Sequence, residues 1–292
     1  MSSSALSDHR KGLLLTAVGG LAISFDMPLI RLAEGNVWST LTLRGTIMLT
    51  ATVVVLALLR LFSKARPVLI PGVWGLLTLV FYGLTTVFFL VAIAYAPIAN
   101  IAFLQTFNPM FGALLSWFFL KERPSGATLV AMGAMTVGVG LIVGDGMASG
   151  HLFGDAMALL TALLIAAAIT MTRASGRDMG FVSLISALVP AALGLYHTIP
   201  AGLSVNHPVW IFIDGGLVMP IAFWCLATGP RYLSAPEVGM FYMLETVLAP
   251  IWVWLIFAEA PTPMTMLGGL ILLLALMAHS LWQVRARRNA AA

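Results

Sequence analysis

Asp26, Arg44, Asp214 and Glu245 are ionisable residues that stand inside long apolar stretches. A charge there is costly and is normally paired or put to use. The chemistry open to them is gating, ion pairing, or capture of a substrate's ammonium group. Asp26 is followed by Met27 and Pro28. Proline lacks a backbone donor and favours a kink, which sets a freed carbonyl beside the carboxylate. Arg31 soon follows, so Asp26 reads either as a gate or as an interfacial residue. Arg44 stands near the start of the second apolar stretch. It either snorkels toward water or pairs with Asp26 or with Asp214, which lies at a similar depth in the eighth stretch. Glu245 is near the middle of the ninth. A carboxylate at that depth is protonated or paired, because desolvation penalises its charge. It could bind a proton or a substrate amine, or bond to a neighbouring helix.

Uncharged polar residues extend this set. On one continuous helix Ile101, Gln105, Asn108 and Gly112 would share a face. Amides facing lipid are costly, so this face is expected to point inward. There it lines a cavity and reads a zwitterion, or it joins helices. Asn100 sits nearer the outer end of the same segment. Tyr82, Trp224 and Tyr242 are mid-stretch, and Tyr242 shares a face with Glu245. Their rings can stack and offer a polar tip, or simply pack. The candidate cavity lining is therefore Tyr82, Asn100, Gln105, Asn108, Trp224, Tyr242 and Glu245. Asp26, Arg44 and Asp214 are the candidate gate or charge pair. Pro28, Pro109, Pro220 and Pro250 are candidate hinges, and Pro190 is also mid-stretch. Gly126, Gly133 and Gly140 recur along the fifth stretch, and Gly140 to Gly144 spells G-x-x-x-G, which predicts close helix packing.

Composition says what must position these residues. Of 292 residues 60% are apolar and only 9% charged, against about 25% charged in soluble domains. Lipid must be the solvent for most of such a surface. Apolar segments fall at 12–31, 38–60, 72–95, 98–120, 125–144, 154–173, 179–200, 208–229, 235–257 and 263–284. Each approaches the roughly 20 residues that cross a bilayer. Proline marks the breaks at Arg66-Pro67, Ala96-Pro97, Arg123-Pro124, Gly229-Pro230 and Ala260-Pro261. Met1 to His9 carry no cleavable signal, so the first stretch is expected to remain as a helix.

Charge placement supports this order. With a cytoplasmic N-terminus, the inside breaks hold Arg10, Lys11, Arg60, Lys64, Arg66, Lys121, Arg123, Arg173, Arg177, Arg231, Arg285, Arg287 and Arg288, 13 of the 15 basic residues. The positive-inside rule then places both termini in the cytoplasm. The net charge of +4 follows from this bias, and no basic run is long enough for nucleic acid. Trp38, Trp74, Trp210 and Trp282 fall near segment ends, as interfacial anchors do. The single cysteine, Cys225, excludes disulfide scaffolds and zinc clusters. None of the five histidines (His9, His151, His197, His207, His279) has metal-ligand spacing.

The chain also echoes itself. Ala96-Pro97 through Glu122-Arg123-Pro124 resembles Ala235-Pro236 through Glu259-Ala260-Pro261. Each copy has a polar residue near its middle (Gln105, Glu245) and a proline within (Pro109, Pro250). One copy is the fourth segment and the other the ninth. Five segments per half is an odd number, so the halves, 1–146 and 147–292, lie in opposite orientations. The expected fold is all-α integral membrane: ten transmembrane helices in two inverted five-helix repeats around a central cavity.

These residues resemble the drug/metabolite transporter superfamily, in its ten-helix EamA-type bacterial exporters. The likeness rests on Ser234-Ala235-Pro236-Glu237-Val238, Leu244-Glu245, Leu248-Ala249-Pro250-Ile251-Trp252, Glu259 and Gly268-Gly269, and on Ala96-Pro97-Ile98-Ala99-Asn100, Asn108-Pro109 and Glu122-Arg123-Pro124 in the first half. It implies a bacterial inner-membrane carrier that exports amino acids, most like the aromatic amino-acid type, or related metabolites by alternating access. Drugs, nucleosides and organic cations are other cargoes within the superfamily. The expected partners are a small-molecule substrate and the lipid bilayer. No cofactor is expected, since there is no P-loop. An intramembrane enzyme would need a G-x-S-x-G elbow or paired carboxylates on one inward helix, and a channel a pore-lining ring or re-entrant filter. The sequence displays none of these.

Overall fold

A computed structural model describes residues 3–62, 69–176, 180–228, 232 and 235–291, with the side chains of Trp224 and Tyr242 outside the described set. Eight helical segments are long and apolar enough to cross a membrane: Arg10–Leu32, Val37–Leu58, Gly72–Tyr95, Ile98–Leu120, Gly126–Ser149, Leu152–Ser175, Phe181–Ala201 and Pro263–Trp282. Two shorter apolar helical stretches, Val209–Ala222 and Met243–Phe257, stand between the seventh and the last. Large apolar side chains such as Leu14, Val130, Phe118 and Ile199 are exposed on the outside of the bundle. That arrangement is stable only where the surroundings are apolar.

The helices are, in chain order, α1 (Ser3–Ile23), α2 (Asp26–Leu32), α3 (Val37–Phe62), α4 (Gly72–Tyr95), α5 (Ile98–Gln105), α6 (Asn108–Leu120), α7 (Gly126–Ser149) and α8 (Leu152–Ser175). They continue with α9 (Gly180–Ile185), α10 (Leu188–Ala201), α11 (Val209–Ile213), α12 (Met219–Thr228), α13 (Ala235–Phe257) and α14 (Pro263–Ala291). Several are two pieces of one crossing, and prolines explain the interruptions. A proline ring clashes with the carbonyl four residues earlier and leaves it without its donor. Pro28, Pro109 and Pro190 place that carbonyl at Ser24, Gln105 and Ser186, and the helix breaks at 24–25, 106–107 and 186–187. Pro220 acts more mildly. The turn before it, Asp214–Val218, relaxes to a π-helix, in which Met219 N–H reaches the Asp214 carbonyl. Pro250 lies within α13, which continues through it unbroken.

Packing in lipid depends on close approach, because the tails are as apolar as the side chains. Glycines supply it. A Cβ on Gly138 of α7 would sit 2.8 Å from the Gly268 carbonyl of α14, and one on Gly268 would sit 2.7 Å from that of Gly138. Gly45 of α3 meets Ala191 of α10, and Gly154 of α8 meets Tyr95 and Ala96 at the end of α4. The glycine row read from the sequence is not the packing face. Gly126, Gly133, Gly140 and Gly144 have open space where a side chain would project. The contact runs along Gly138 instead, so spacing identified the right kind of residue on the wrong face.

The expected stripe on the fourth segment also needs correction. The break at Thr106–Phe107 separates Gln105 from Asn108 and resets the helical phase. Ile101 is fully buried in the main core with Ile98, Leu104 and Met110. Gly112 faces open space. The four residues do not share one continuous face.

Candidate functional site

The break after α1 is fixed by α13. Ser24 Oγ accepts a hydrogen bond from Trp252 Nε1 at 3.0 Å, and Phe25 stacks on the Trp252 ring at 4.8 Å. This starts α2 at Asp26 and turns its carboxylate into the bundle. Arg44 reaches it from α3, donating from Nη2 to Asp26 Oδ1 at 2.6 Å. Arg44 Nε lies 3.1 Å from Oδ2 of Asp214, the first residue of the π-helical turn. Asp26 and Asp214 thus hold the same guanidinium from two helices. The three side chains are 6% exposed or less. Arg44 therefore does not snorkel; it bridges both acids, and its guanidinium also lies 5.8 Å from the centre of the Phe89 ring. Glu245 is half-buried on α13, which packs against α2. Two acids thus flank one arginine, with a third on a neighbouring helix.

A cavity of about 300 Å³ lies beside this cluster, lined by Ile30, Arg31, Glu34, Thr40, Leu90 and Ile93 among others. Ile30 stands one turn from Asp26 on α2, and Thr40 one turn from Arg44 on α3. The cavity is therefore stacked directly on the charges. Its far rim is held by backbone bonds between two loops: Asn36 N–H donates to the Ser204 carbonyl, His207 N–H to the Ala33 carbonyl, and Gly35 bridges Val205. Asn206 Nδ2 donates to Glu34 Oε2 at 3.1 Å. At the same end Arg31 Nη2 donates to Glu259 Oε1 at 2.7 Å.

The sequence-derived residues divide clearly. Asp26, Arg44 and Asp214 converge, with Glu245 beside them. Gln105 is half-buried and its Nε2 has no hydrogen-bond partner among the described residues. Asn108 and Tyr82 are half-buried on α6 and α4. The Trp224 and Tyr242 side chains lie outside the described residues. Asn100 is not brought to the cluster. Its Nδ2 donates to Asp155 Oδ1 at 3.0 Å, and its Oδ1 accepts from Thr265 Oγ1 at 2.8 Å. That bond set ties α5 to α8 and α14, and a Cβ on Gly146 would strike the Asp155 carboxylate. Asp155, an acid just inside an apolar span, is a residue sequence reasoning missed; its position four residues into the helix was the available signal. Two ion pairs were also missed as pairs: Arg31 with Glu259, and Arg173 with Glu122 at 2.9 Å. His279 is packed, with Nε2 3.0 Å from Thr128 Oγ1.

Comparison with known proteins follows this geometry. The EamA-like transporter family matches the chain twice, over residues 10–144 and 152–281. The pseudopaline exporter CntI of Pseudomonas aeruginosa strain UCBPP-PA14 is 26% identical over 216 residues, which is 73% of this chain and 74% of that protein. The same exporter from strain PAO1 is 26% identical over 218 residues, with the same coverage. One solved crystal structure superposes with a TM-score of 0.61 over 93% of this chain and 98% of its own, at 18% identity, a likeness of fold alone.

Proposed function

The chain belongs to the EamA-like transporter family and is a multi-pass membrane transporter rather than an enzyme, and from that premise we propose that it exports an amino acid or a related small metabolite by alternating access. In this reading the eight long helices and the two shorter ones make ten crossings. They form two inverted five-helix halves, 1–146 and 147–292, and the double family match supports that division. The chain sits in the bacterial inner membrane with both termini cytoplasmic, as its basic residues favour. The cargo site lies between the first, third, fourth, sixth, eighth and ninth crossings, with Tyr82, Gln105, Asn108, Trp224, Tyr242 and Glu245 as its lining.

One observation carries the reading. The buried cluster draws Asp26 and Arg44 from one half and Asp214 from the other, with half-buried Glu245 on the adjoining α13. Buried charges at the junction of two halves change surroundings whenever the halves move, and intramembrane charges of this kind mark substrate pathways. Carboxyl groups outnumber the single arginine here, and a carboxyl group freed from that arginine suits a cargo bearing an ammonium group. The cavity of about 300 Å³ stacked on the cluster has room for a small metabolite. The relatives named for exporting pseudopaline support export of a small metabolite. The same carboxyl groups also favour a second reading, export of organic cations.

Competition flux into proteoliposomes, against a panel of amino acids, aromatic compounds and cationic drugs, tests this. Saturable counterflow of an amino acid is expected. Cationic drugs competing alone would select the second reading, and ionic conductance or chemical conversion of the cargo would overturn both. Gln105→Ala, Asn108→Ala, Tyr242→Ala and Glu245→Ala, made singly, should each impair flux while inserting normally. Normal flux in all four would remove the proposed lining.

A further inference from the structure

We propose that the ion pairs Arg31–Glu259 and Arg173–Glu122 are the two alternate latches of the transporter, each closing one end of the bundle by tying a helix of one half to a helix of the other. This rests on the two-half reading above. Arg31 ends the first crossing and Glu259 follows the ninth. Glu122 follows the fourth and Arg173 ends the sixth. Odd and even crossings finish at opposite ends, so the two pairs face opposite sides of the membrane. Each joins a residue before 146 to one after it. If both hold, both ends are shut, and either end opens only when its own pair parts.

The pairs occupy equivalent places in the repeat. Arg31 and Arg173 stand equally far beyond residues 10 and 152, where the two family matches begin. The glutamates match in backbone as well as in sequence. Lys121 and Ala258, which precede Glu122 and Glu259, have φ of 60° and 56°. They are two of the three non-glycine residues with positive φ among those described. A side-chain-bearing residue keeps that conformation only where its surroundings hold it. In both copies it ends the helix and carries the next carboxylate back to an arginine of the other half. A proline follows two residues after each glutamate, at Pro124 and Pro261, and prevents the helix from continuing.

Exposure separates these pairs from the central cluster. The Arg31 and Glu259 side chains are 30% and 43% exposed, and those of Arg173 and Glu122 are 55% and 53% exposed. Water can solvate each partner once they separate, so the pairs are weak enough to exchange. The Arg44 cluster, almost fully buried, cannot part so cheaply. Arg31 itself lines the cavity of about 300 Å³, so its pairing with Glu259 is made at the cavity wall.

The test uses the full chain in lipid nanodiscs, which leave both ends accessible and need no cargo. Cys225 is the single cysteine, so Cys225→Ser gives a clean background. Thr40→Cys, on the cavity wall, reports the Arg31 end, and Thr170→Cys, one turn before Arg173, reports the other; both positions are buried. Labelling by a fluorescent maleimide is timed. Glu259→Gln is expected to speed Thr40→Cys labelling about two- to fivefold, the range set by a half-exposed ion pair, and to slow Thr170→Cys labelling. Glu122→Gln is expected to do the reverse. The exchanged pair Arg31→Glu with Glu259→Arg should restore the parent rates. If either variant speeds both reporters together, the pairs merely hold the fold, and the proposal is overturned. Unchanged rates at both reporters overturn it too. The reporters would still respond in opposite senses if the cargo were misassigned, whereas normal flux with unresponsive reporters would sink the latches and leave the transport reading standing.

Discussion

Replacing Arg44 with methionine removes the only basic partner that the described structure gives to Asp26 and Asp214, while keeping an apolar stem against Phe89. The two carboxylates now touch this guanidinium at 2.6 and 3.1 Å, with every participating side chain 6% exposed or less. Removing one partner of a buried pair strands the other charge out of water and costs about 3–5 kcal/mol. Two acids are stranded here, but both held the same guanidinium and so stand close together, and protonating one of them relieves part of the repulsion. The expected loss therefore remains near 3–5 kcal/mol rather than twice that. Replacing the whole cluster by neutral groups of similar shape, Arg44→Met with Asp26→Asn and Asp214→Asn, should recover most of the loss, since a buried ion pair and a neutral substitute are nearly equivalent. Reversible unfolding in mixed micelles, followed by tryptophan fluorescence, measures both variants. A single variant that loses less than about 1 kcal/mol would mean that the charges are solvated in the bilayer. A triple variant as unstable as the single would assign Arg44 a packing role over Phe89 and refute the electrostatic account.

Two further outcomes are expected from the same unfolding assay. Gly138→Val should cost about 1–3 kcal/mol, because its side chain would enter the Gly268 backbone; Gly140→Ala, two residues along the same helix, meets nothing within 4 Å and should be neutral or stabilise by up to about 1 kcal/mol. Asn100→Leu removes the donor to Asp155 and the acceptor from Thr265 and should cost about 1–3 kcal/mol, while the order of preference across a cargo panel stays unchanged. A shifted order would return Asn100 to the cargo site.

The crossings were legible because apolar length is set by bilayer thickness. The segments read at 72–95 and 98–120 coincide with helical stretches long enough to cross, and 235–257 with one helix, α13. Asp26, Arg44 and Asp214 were also legible as a group, since a charge in an apolar span must find a partner. The fifth helix runs to Ser149 rather than 144, because Asp145 and Ser149 are accommodated at its end by bonds to Thr262 and to backbone. Faces were harder to read. A seven-residue glycine period gives the phase of a helix relative to itself, but not the direction of its neighbour, so Gly138 was overlooked beside Gly133 and Gly140. The Gln105–Asn108 stripe failed because it assumed a continuous helix across Pro109, whose effect falls four residues earlier, at Gln105 itself. The Glu122 and Glu259 echo was visible as repetition. That their partners were Arg173 and Arg31 was not, because each partner is supplied by the other half of the chain.

The interrupted crossings have a mechanical meaning. A continuous helix bends only by giving up backbone hydrogen bonds, and it transmits a push at one end to the other like a rod. At Ser24, Gln105 and Ser186 the proline four residues on has already removed that bond. Flexing there gives up fewer backbone bonds than elsewhere, although Val189 N–H still holds the Ser186 carbonyl and Trp252 still holds Ser24, so these points would be the softer places in their helices. A load applied to the short segments Asp26–Leu32 or Ile98–Gln105 is absorbed at the joint before it reaches the far half of the same crossing. The two faces of the membrane are thereby uncoupled within a single helix, and stiffness resides in the unbroken members such as α4 and α8.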